Sequence, residues 1–261
     1  MTASRPADSG KPEPEPRPQT GEVLFAESDF HALSDPLSRD TQFDDARLAT
    51  RRKLGALGKQ LVARAKTDGL ALDSRTSIHH PRPFNGMVVR RLWTYVMRAK
   101  SEKTQLRKVL GRDLAKDLDA AYRNAYLCLA IEHDVLEVSL RIHSDAWFDG
   151  QNLTKRIAAE GRGPLLEQLN ALRGFTLRMH DWKGTWELGD LGDDRLEEFL
   201  GYYEAGTHRL VVERRWPAPA GGRQPACGPE AVAEMLGEAE RLFPFYRFLA
   251  WSEESSFLFS E

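Results

Sequence analysis

Residues 125–143 read AYLCLAIEHDVLEVSLRIH and predict one β-hairpin with a defined register. With His133 and Asp134 in the turn, Leu129 lies opposite Val138, and the aliphatic residues of both arms fall on one surface. The other surface carries Tyr126, Cys128, Glu137, Ser139 and Arg141. A shift of one residue would mix the two sets, because strand side chains alternate with a period of two. The stretch therefore predicts a two-sided sheet with one buried face.

The composition is that of an ordinary globular protein. Of the 261 residues, 41% are hydrophobic and 29% are charged, close to the usual values. Apolar runs are only a few residues long, whereas roughly 20 are needed to cross a bilayer, and residues 1–21 lack the apolar core of a signal peptide. The two cysteines suffice neither for a disulfide framework nor for a cysteine zinc site. We expect a cytoplasmic protein with no membrane contact.

The chain divides into a tail and one domain. Residues 1–22 contain five prolines among charged and small residues, a composition that predicts disorder because it buries too little apolar surface. Residues 23–261 predict a single α+β domain. Its last ten residues, 252–261, read SEESSFLFSE and predict a flexible C-terminal peptide.

Apolar spacing and turn residues outline the secondary structure of the domain. A helix is predicted from Asp44, and others over 89–99, 104–124, 153–157, 164–172, 193–203 and 229–242. A second hairpin is predicted over 175–188, turning at Lys183 and Gly184 with His180 opposite Glu187, and a strand over 209–215. Hairpins separated by helices favour an antiparallel sheet of five or six strands with helices packed over one face.

Positive charge is concentrated in one window of the sequence. Val88–Lys116 carries a net charge of +7, although the whole chain carries −2. Such a segment is typical either of a solvated helix face or of a surface for an anionic partner such as nucleic acid. The predicted contact residues are Arg90, Arg91, Arg98, Lys100, Lys103, Arg107, Lys108, Arg112 and Lys116.

The predicted hairpins place a second group of polar residues on one side of the sheet. Arginines there could hold phosphate or carboxylate groups, and histidines with carboxylates could transfer protons. Alternating charges are equally expected on a solvent-facing sheet surface. The predicted polar sheet face consists of Glu137, Arg141, His143, Arg178, His180 and Glu187.

Histidines in loops and at strand ends suggest a metal site as an alternative. His79 and His80 lie in a proline-braced loop, and His143 and Asp145 follow the first hairpin. These side chains are metal-ligand types, but their spacing matches no zinc, nucleotide-binding or nuclease motif. A divalent metal would make the protein a metal-dependent hydrolase or nuclease.

The sequence thus leaves open whether the protein is an enzyme. The leading hypothesis is a non-enzymatic binding protein, without a cofactor, that contacts nucleic acid or another anionic partner through a basic helical surface. The first alternative is the metal-dependent hydrolase or nuclease. The second is a protein-interaction component that docks through the aromatic tail at Phe257–Phe259.

Overall fold

A computed structural model describes residues 23–217 and 229–259 of the chain. The strands are β1 (Leu72–Thr76), β2 (Arg91–Arg98), β3 (Tyr126–Glu132), β4 (Val135–Ile142), β5 (Thr176–Met179), β6 (Thr185–Glu187) and β7 (Leu210–Pro217). The helices are α1 (Glu27–His31), α2 (Asp44–Thr67), α3 (Lys100–Leu114), α4 (Trp147–Glu160), α5 (Gly163–Asn170), α6 (Asp193–Tyr202), α7 (Pro229–Arg241) and α8 (Phe243–Leu249). This is an α+β fold, as the sequence predicts.

The strands form one antiparallel sheet in the order β1-β2-β3-β4-β7-β5-β6. The described residues therefore contribute seven strands, more than the five or six expected. In the hairpin of β3 and β4, Leu129 pairs with Val138 and Ile131 with Leu136, which confirms the predicted register. Strand β7 lies between β4 and β5 and so joins the smaller hairpin to the rest of the sheet.

Helices cover the apolar face of the sheet. Helix α2 packs against β1 and β2, and α7 packs against β3 and β4. Leu57 and Leu61 of α2 and Met235 of α7 lie in one buried cluster with Leu129 and Val138 of the hairpin. Because side chains alternate along each strand, the residues between these core positions, such as Arg91 of β2 and Glu137 of β4, point to the opposite face.

The close packing of α2 on the sheet predicts opposite effects for two of its glycines. A Cβ atom at Gly58 would lie 2.5 Å from Thr94 Oγ1 and 3.1 Å from Ser74 Cβ, so we expect Gly58→Ala to lower the free energy of unfolding by about 1–3 kcal/mol. A Cβ atom at Gly55 would meet Thr76 Cγ2 at an ordinary 3.4 Å. Gly55→Ala should therefore raise that free energy by up to about 1 kcal/mol, because alanine is the better helix former. Urea denaturation of both variants checks this, and equal changes would contradict the packing.

Residues 89–99 form a strand and not the predicted helix. In β2, the side chains of Arg91, Trp93 and Tyr95 are partly exposed, and the residues between them, Leu92 and Thr94, are buried. The period-two alternation of aromatic and β-branched residues favours a strand. The basic window therefore begins in the sheet.

The helix predicted over 104–124 is shorter and begins earlier. Helix α3 ends at Leu114 after a break at Gly111, which has a φ of 76°, a conformation that glycine adopts without steric cost. The leucine spacing of the predicted helix would bury Leu114, but this residue is 53% exposed. A short 3₁₀ turn at Ala121–Arg123 then leads into β3.

The second hairpin has a different register from the one predicted. Thr176, and not His180, lies opposite Glu187. The connection between β5 and β6 spans residues 180–184, whereas the prediction placed a tight turn at Lys183 and Gly184. Strand β1 was not predicted, because its sequence, LDSRT, has little apolar character.

The predicted N-terminal tail, residues 1–22, lies outside the described residues. The same holds for residues 218–228 and for the last two positions of the chain. Within 23–217 and 229–259, no helix combines the length and the apolar character that a membrane span requires.

Candidate functional site

The side of the sheet opposite α2 and α7 carries a group of polar and aromatic side chains that we call the polar face. Strands β2, β3, β4 and β7 contribute most of it, and β5 and β6 extend it. Its members by register are Arg91, Trp93, Tyr95, Tyr126, Cys128, Glu132, Glu137, Ser139, Arg141, Thr176, Arg178, Glu187, Glu213 and Arg215.

A buried carboxylate lies at the centre of the polar face. The side chain of Glu137 is fully buried, and its Oε1 accepts hydrogen bonds from Arg91 Nη2 at 2.8 Å, Arg141 Nη2 at 2.5 Å and Ser139 Oγ at 2.7 Å. Burial alone would raise the pKa of Glu137, but the two guanidinium groups and the hydrogen bonds outweigh it and hold the pKa below its ordinary value. Glu137 is therefore a carboxylate at neutral pH.

A ring of further ion pairs surrounds this carboxylate. Arg215 approaches Glu137 Oε2 at 3.5 Å and Glu132 at 3.2 Å. Glu213, also nearly buried, lies 2.7 Å from Arg178 and 3.5 Å from Arg141. Four arginines thus face three glutamates, and the network carries a net charge of +1.

Two buried atoms of this network have no hydrogen-bond partner among the described residues. They are Arg91 Nε, a donor, and Glu137 Oε2, an acceptor. The nearest opposite charge to Arg91 Nε is Glu132 Oε1, which is 3.7 Å away. Since buried polar groups are nearly always paired, unpaired atoms of this kind often mark a place for water or a ligand.

Beside the network lies a small cavity of about 130 Å³, which opens to solvent. It is lined by Arg91, Trp93, Tyr126, Cys128 and Arg141. Tyr126 and the neighbouring Tyr95 meet edge to face, with ring centroids 6.0 Å apart. The guanidinium of Arg91 lies 5.8 Å from the centre of the Trp93 ring, within the range of a cation–π contact.

Burial fixes the protonation of two titratable groups of the cavity. Burial raises the pKa of Tyr126 to about 12, and burial likewise raises the pKa of the Cys128 thiol. Both groups therefore keep their protons at neutral pH. A protonated, buried thiol is a poor nucleophile, and the buried carboxylate is held in its ion pairs instead of being poised to accept a proton.

Four of the six residues predicted for the polar sheet face lie on it within strands, namely Glu137, Arg141, Arg178 and Glu187. His143 and His180 follow the last residues of β4 and β5. Sequence reasoning placed Arg91 among the contacts of a basic helix, not on the sheet, and missed Trp93 and Tyr95, because residues 89–99 were assigned to a helix. It also missed the contribution of β7. The alternation of polar and apolar residues in 91–98 is the signal that could have found the first group.

The nine basic residues of the window do not form one surface. Arg98 is buried and pairs with Asp149, whose Oδ1 lies 2.8 Å from Arg98 Nη2. Lys103 is also buried, and Asp119 lies 3.7 Å from it and 3.0 Å from Arg107. Arg90 pairs with Asp35, and Arg91 belongs to the polar face. Arg90, Lys100, Lys108, Arg112 and Lys116 are the exposed cations of this segment.

Exposed acidic side chains lower the net positive charge of the remaining basic surface. Asp113, Asp117 and Asp119 are exposed between or beside the cations of α3 and the turn that follows it. The predicted basic helical surface is therefore a mixed one, in which both signs alternate. Mixed surfaces of this kind are common on soluble proteins and give little attraction to a polyanion.

The residues of the predicted metal site lie at opposite ends of the sheet. His79 and His80 follow β1 at the end where β2 begins, whereas His143 follows β4 at the other end. The intervening length of β4 is about seven residues, or roughly 23 Å. These histidines therefore cannot ligate one ion. Across residues 23–217 and 229–259, no cluster of three or more histidine, cysteine or carboxylate side chains could hold a metal.

Each histidine of the proposed metal site has a local role. Burial, with His80 and Arg51 nearby, lowers the pKa of His79. Burial and Arg209 lower the pKa of His143, whose Nδ1 accepts a hydrogen bond from the backbone N–H of Asp145 at 3.1 Å. These contacts are those of loop and strand-end histidines that stabilise local backbone.

Helix α4 holds the C-terminal residues against the domain, at least as far as Leu258. The side chain of Asn152 accepts a hydrogen bond from the N–H of Phe257 at 2.8 Å and donates one to the carbonyl of Leu249 at 3.3 Å. Leu258 is 4% exposed, whereas Phe259 is 59% exposed. In the described part of the segment 252–261, the buried side chain of Asn152 thus pairs with the backbone, and the flexibility of the whole segment stays a prediction.

No known protein-family model matches this chain, and no curated protein matches it in sequence. The interpretation of the polar face therefore depends on its geometry and chemistry alone.

Proposed function

We propose that this protein is a non-enzymatic binding protein that holds single-stranded nucleic acid against the polar face. The observation that carries the proposal is the pattern of partly exposed aromatic rings flanked by arginines on the outer side of the sheet. Trp93, Tyr95 and Tyr126 lie on adjacent strands, and Arg91 and Arg141 lie beside them. Bases stack on such rings, and arginines pair with the phosphates between them.

The charge of the polar face supports this choice of partner. Its central network has one arginine more than it has glutamates, and Arg178 and Arg215 at its margin are 51% and 37% exposed. Exposed arginines can form bidentate hydrogen bonds with phosphate oxygens. The sheet thus replaces the basic helix as the surface that best fits an anionic partner. A nucleic-acid partner also agrees with the cytoplasmic location expected from the sequence.

The arrangement supports binding rather than strand cleavage. Nucleases depend on an activated water, which is usually generated by a metal or a general base. On the polar face, the carboxylates are paired with arginines, and the tyrosine and cysteine keep their protons. We therefore expect bound oligonucleotides to remain intact.

The test is fluorescence polarisation with labelled single-stranded 12-mers of RNA and DNA at several salt concentrations. Wild-type protein should bind, and the logarithm of its affinity should fall linearly with the logarithm of salt. The double variant Trp93→Leu and Tyr95→Leu should bind at least about 30-fold more weakly, since base stacking contributes about 1–3 kcal/mol per base and two rings are removed.

Two control variants separate this surface from others. Trp182→Leu removes an exposed aromatic ring that stacks on Tyr202, away from the polar face, and should leave binding unchanged. Lys108→Glu with Arg112→Glu reverses two exposed charges of α3 and should have little effect. If the α3 variant lost binding while the Trp93 and Tyr95 variant kept it, the basic helix would be the surface in use and this assignment would be wrong.

A further inference from the structure

The cavity on the polar face is lined by hydrogen-bond donors. Arg91 and Arg141 carry guanidinium groups, which have only donors. Tyr126 and Cys128 keep their protons at neutral pH. The nearest carboxylate, that of Glu137, is buried beneath the guanidiniums and is engaged through Oε1 by both of them. A group that lies against the two guanidiniums must therefore present acceptors.

The size and walls of the cavity admit one edge of a flat ring system. Its volume of about 130 Å³ is below the roughly 150 Å³ that encloses a benzene molecule, so the rest of a larger ring system stays outside the open mouth of the cavity. The volume is far below the range of about 300–1,000 Å³ that is typical of pockets for larger ligands. Two of the five lining residues, Trp93 and Tyr126, are aromatic, so a planar group can stack against a wall.

We propose that this cavity receives one guanine base, with the O6 and N7 acceptors of the base facing the guanidinium groups of Arg91 and Arg141. This inference rests on the proposed function and deepens it, because it names the base that the site prefers. Guanine presents two adjacent acceptors, O6 and N7, on one edge of a purine, and a guanidinium fork matches them with two parallel hydrogen bonds.

The other bases fit the cavity less well. Cytosine has two adjacent acceptors, O2 and N3, but its single ring offers less surface than a purine for stacking on the aromatic walls. Adenine presents N7 beside an amino group. An amino donor directed at a guanidinium loses a hydrogen bond and meets a positive charge. Uracil has carbonyl groups, but an N–H donor separates them. The site therefore discriminates against adenine and uracil by the donors on its walls and against cytosine by stacking.

The buried Glu137 has a positioning role in this scheme. Its Oε1 fixes one end of each guanidinium through bonds of 2.8 Å to Arg91 and 2.5 Å to Arg141. This restricts the rotation of both side chains before a base arrives, so that less conformational entropy is lost on binding. The unpaired Nε of Arg91 is an additional donor that a small shift of the side chain would present to the base.

Calorimetric titration of the full chain with GMP, AMP, UMP and CMP tests the inference. The four ligands share the same phosphate, so differences report on the base. GMP should bind about 5-fold to 100-fold more tightly than AMP and UMP, the range expected for one bidentate pair, and it should also bind more tightly than CMP. Equal affinities for the four nucleotides would overturn the inference.

A set of 12-mers separates the inference from the proposed function. One guanine is placed in the middle of an all-adenine or an all-cytosine strand and compared with the unsubstituted strand. A preference for the guanine-containing strands supports the inference. Equal binding of all strands overturns it and leaves the proposed function standing. Binding of GMP but of no 12-mer supports the guanine pocket and overturns the proposed function.

Conservative variants give a further readout. Arg91→Lys keeps the positive charge but removes the paired N–H donors of the guanidinium, including Nε. The ratio of the affinities for GMP and AMP should therefore fall to about 2 or less. Arg178→Lys makes the same change on the polar face outside the cavity and should retain the full preference. Thermal denaturation confirms that each variant is folded. An unchanged preference in folded Arg91→Lys would overturn the assignment of that residue.

Discussion

Asp149→Ala is expected to lower the free energy of unfolding by about 3–5 kcal/mol, because it leaves the buried Arg98 guanidinium without its counter-ion. Both side chains are almost fully buried. Asp149 also accepts hydrogen bonds from the backbone N–H groups of Ala125 at 2.7 Å and Trp251 at 2.9 Å. One carboxylate thus connects β2, the start of β3 and the C-terminal segment. The midpoint of thermal unfolding should fall by about 6–20 °C.

Thermal and urea denaturation measure this effect, with Glu197→Ala as the matched control. Glu197 pairs with Arg162 at 3.1 Å, but its side chain is 68% exposed, so its loss should change the free energy by no more than about 0.5 kcal/mol. The double variant Arg98→Met with Asp149→Leu should be more stable than Asp149→Ala, since it leaves no buried charge. A loss at Asp149 as small as that at Glu197 would contradict this account.

Glu137→Gln is expected to lower the free energy of unfolding by about 3 kcal/mol at neutral pH. This value is at the lower end of the range for breaking a buried ion pair, because the arginines that pair with Glu137 reach solvent. The effect should depend on pH. The folded pKa of Glu137 lies below its ordinary value of 4.5, so its stabilisation is complete above pH 4.5 and is lost as the pH falls through the lowered value. The difference between wild type and variant should therefore shrink below pH 4.5.

Urea denaturation at several values between pH 3 and pH 8 tests this dependence. Glu187→Gln is the matched control, because Glu187 lies on the same face but is exposed. Its difference from wild type should stay small throughout the range. A difference for Glu137→Gln that grows as the pH falls would contradict the sign derived from the lowered pKa.

The sequence predicts the centre of the sheet better than its margins. The register of β3 and β4 is confirmed because both faces constrain it. Leu129 and Val138 must be buried together, and Glu137 and Arg141 must share the other face. In the smaller hairpin, few apolar pairs constrain the register, so the placement of His180 opposite Glu187 was wrong.

The candidate site was predictable only in part, for a related reason. Glu137 and Arg141 follow from the hairpin, whereas their partners lie on strands far away in the sequence. Arg91 precedes Glu137 by 46 residues, and Arg215 lies on β7. The pairing of distant strands depends on how the whole sheet assembles, which local periodicity does not specify. The charge of the window 88–116 indicated a surface, but burial of Arg98 and Lys103 shows that net charge in sequence is not charge on one face.

The contact between Asp149 and Trp251 makes one end of the sheet depend on residues far along the chain. Trp251 follows the end of β7 by 34 residues. Its N–H donates to Asp149 at 2.9 Å, and its carbonyl accepts a hydrogen bond from Arg98 Nη2 at 2.8 Å. A chain truncated before Trp251 would keep every strand but would leave this buried ion pair without its backbone partners, and that end of the domain would be the first to admit a protease.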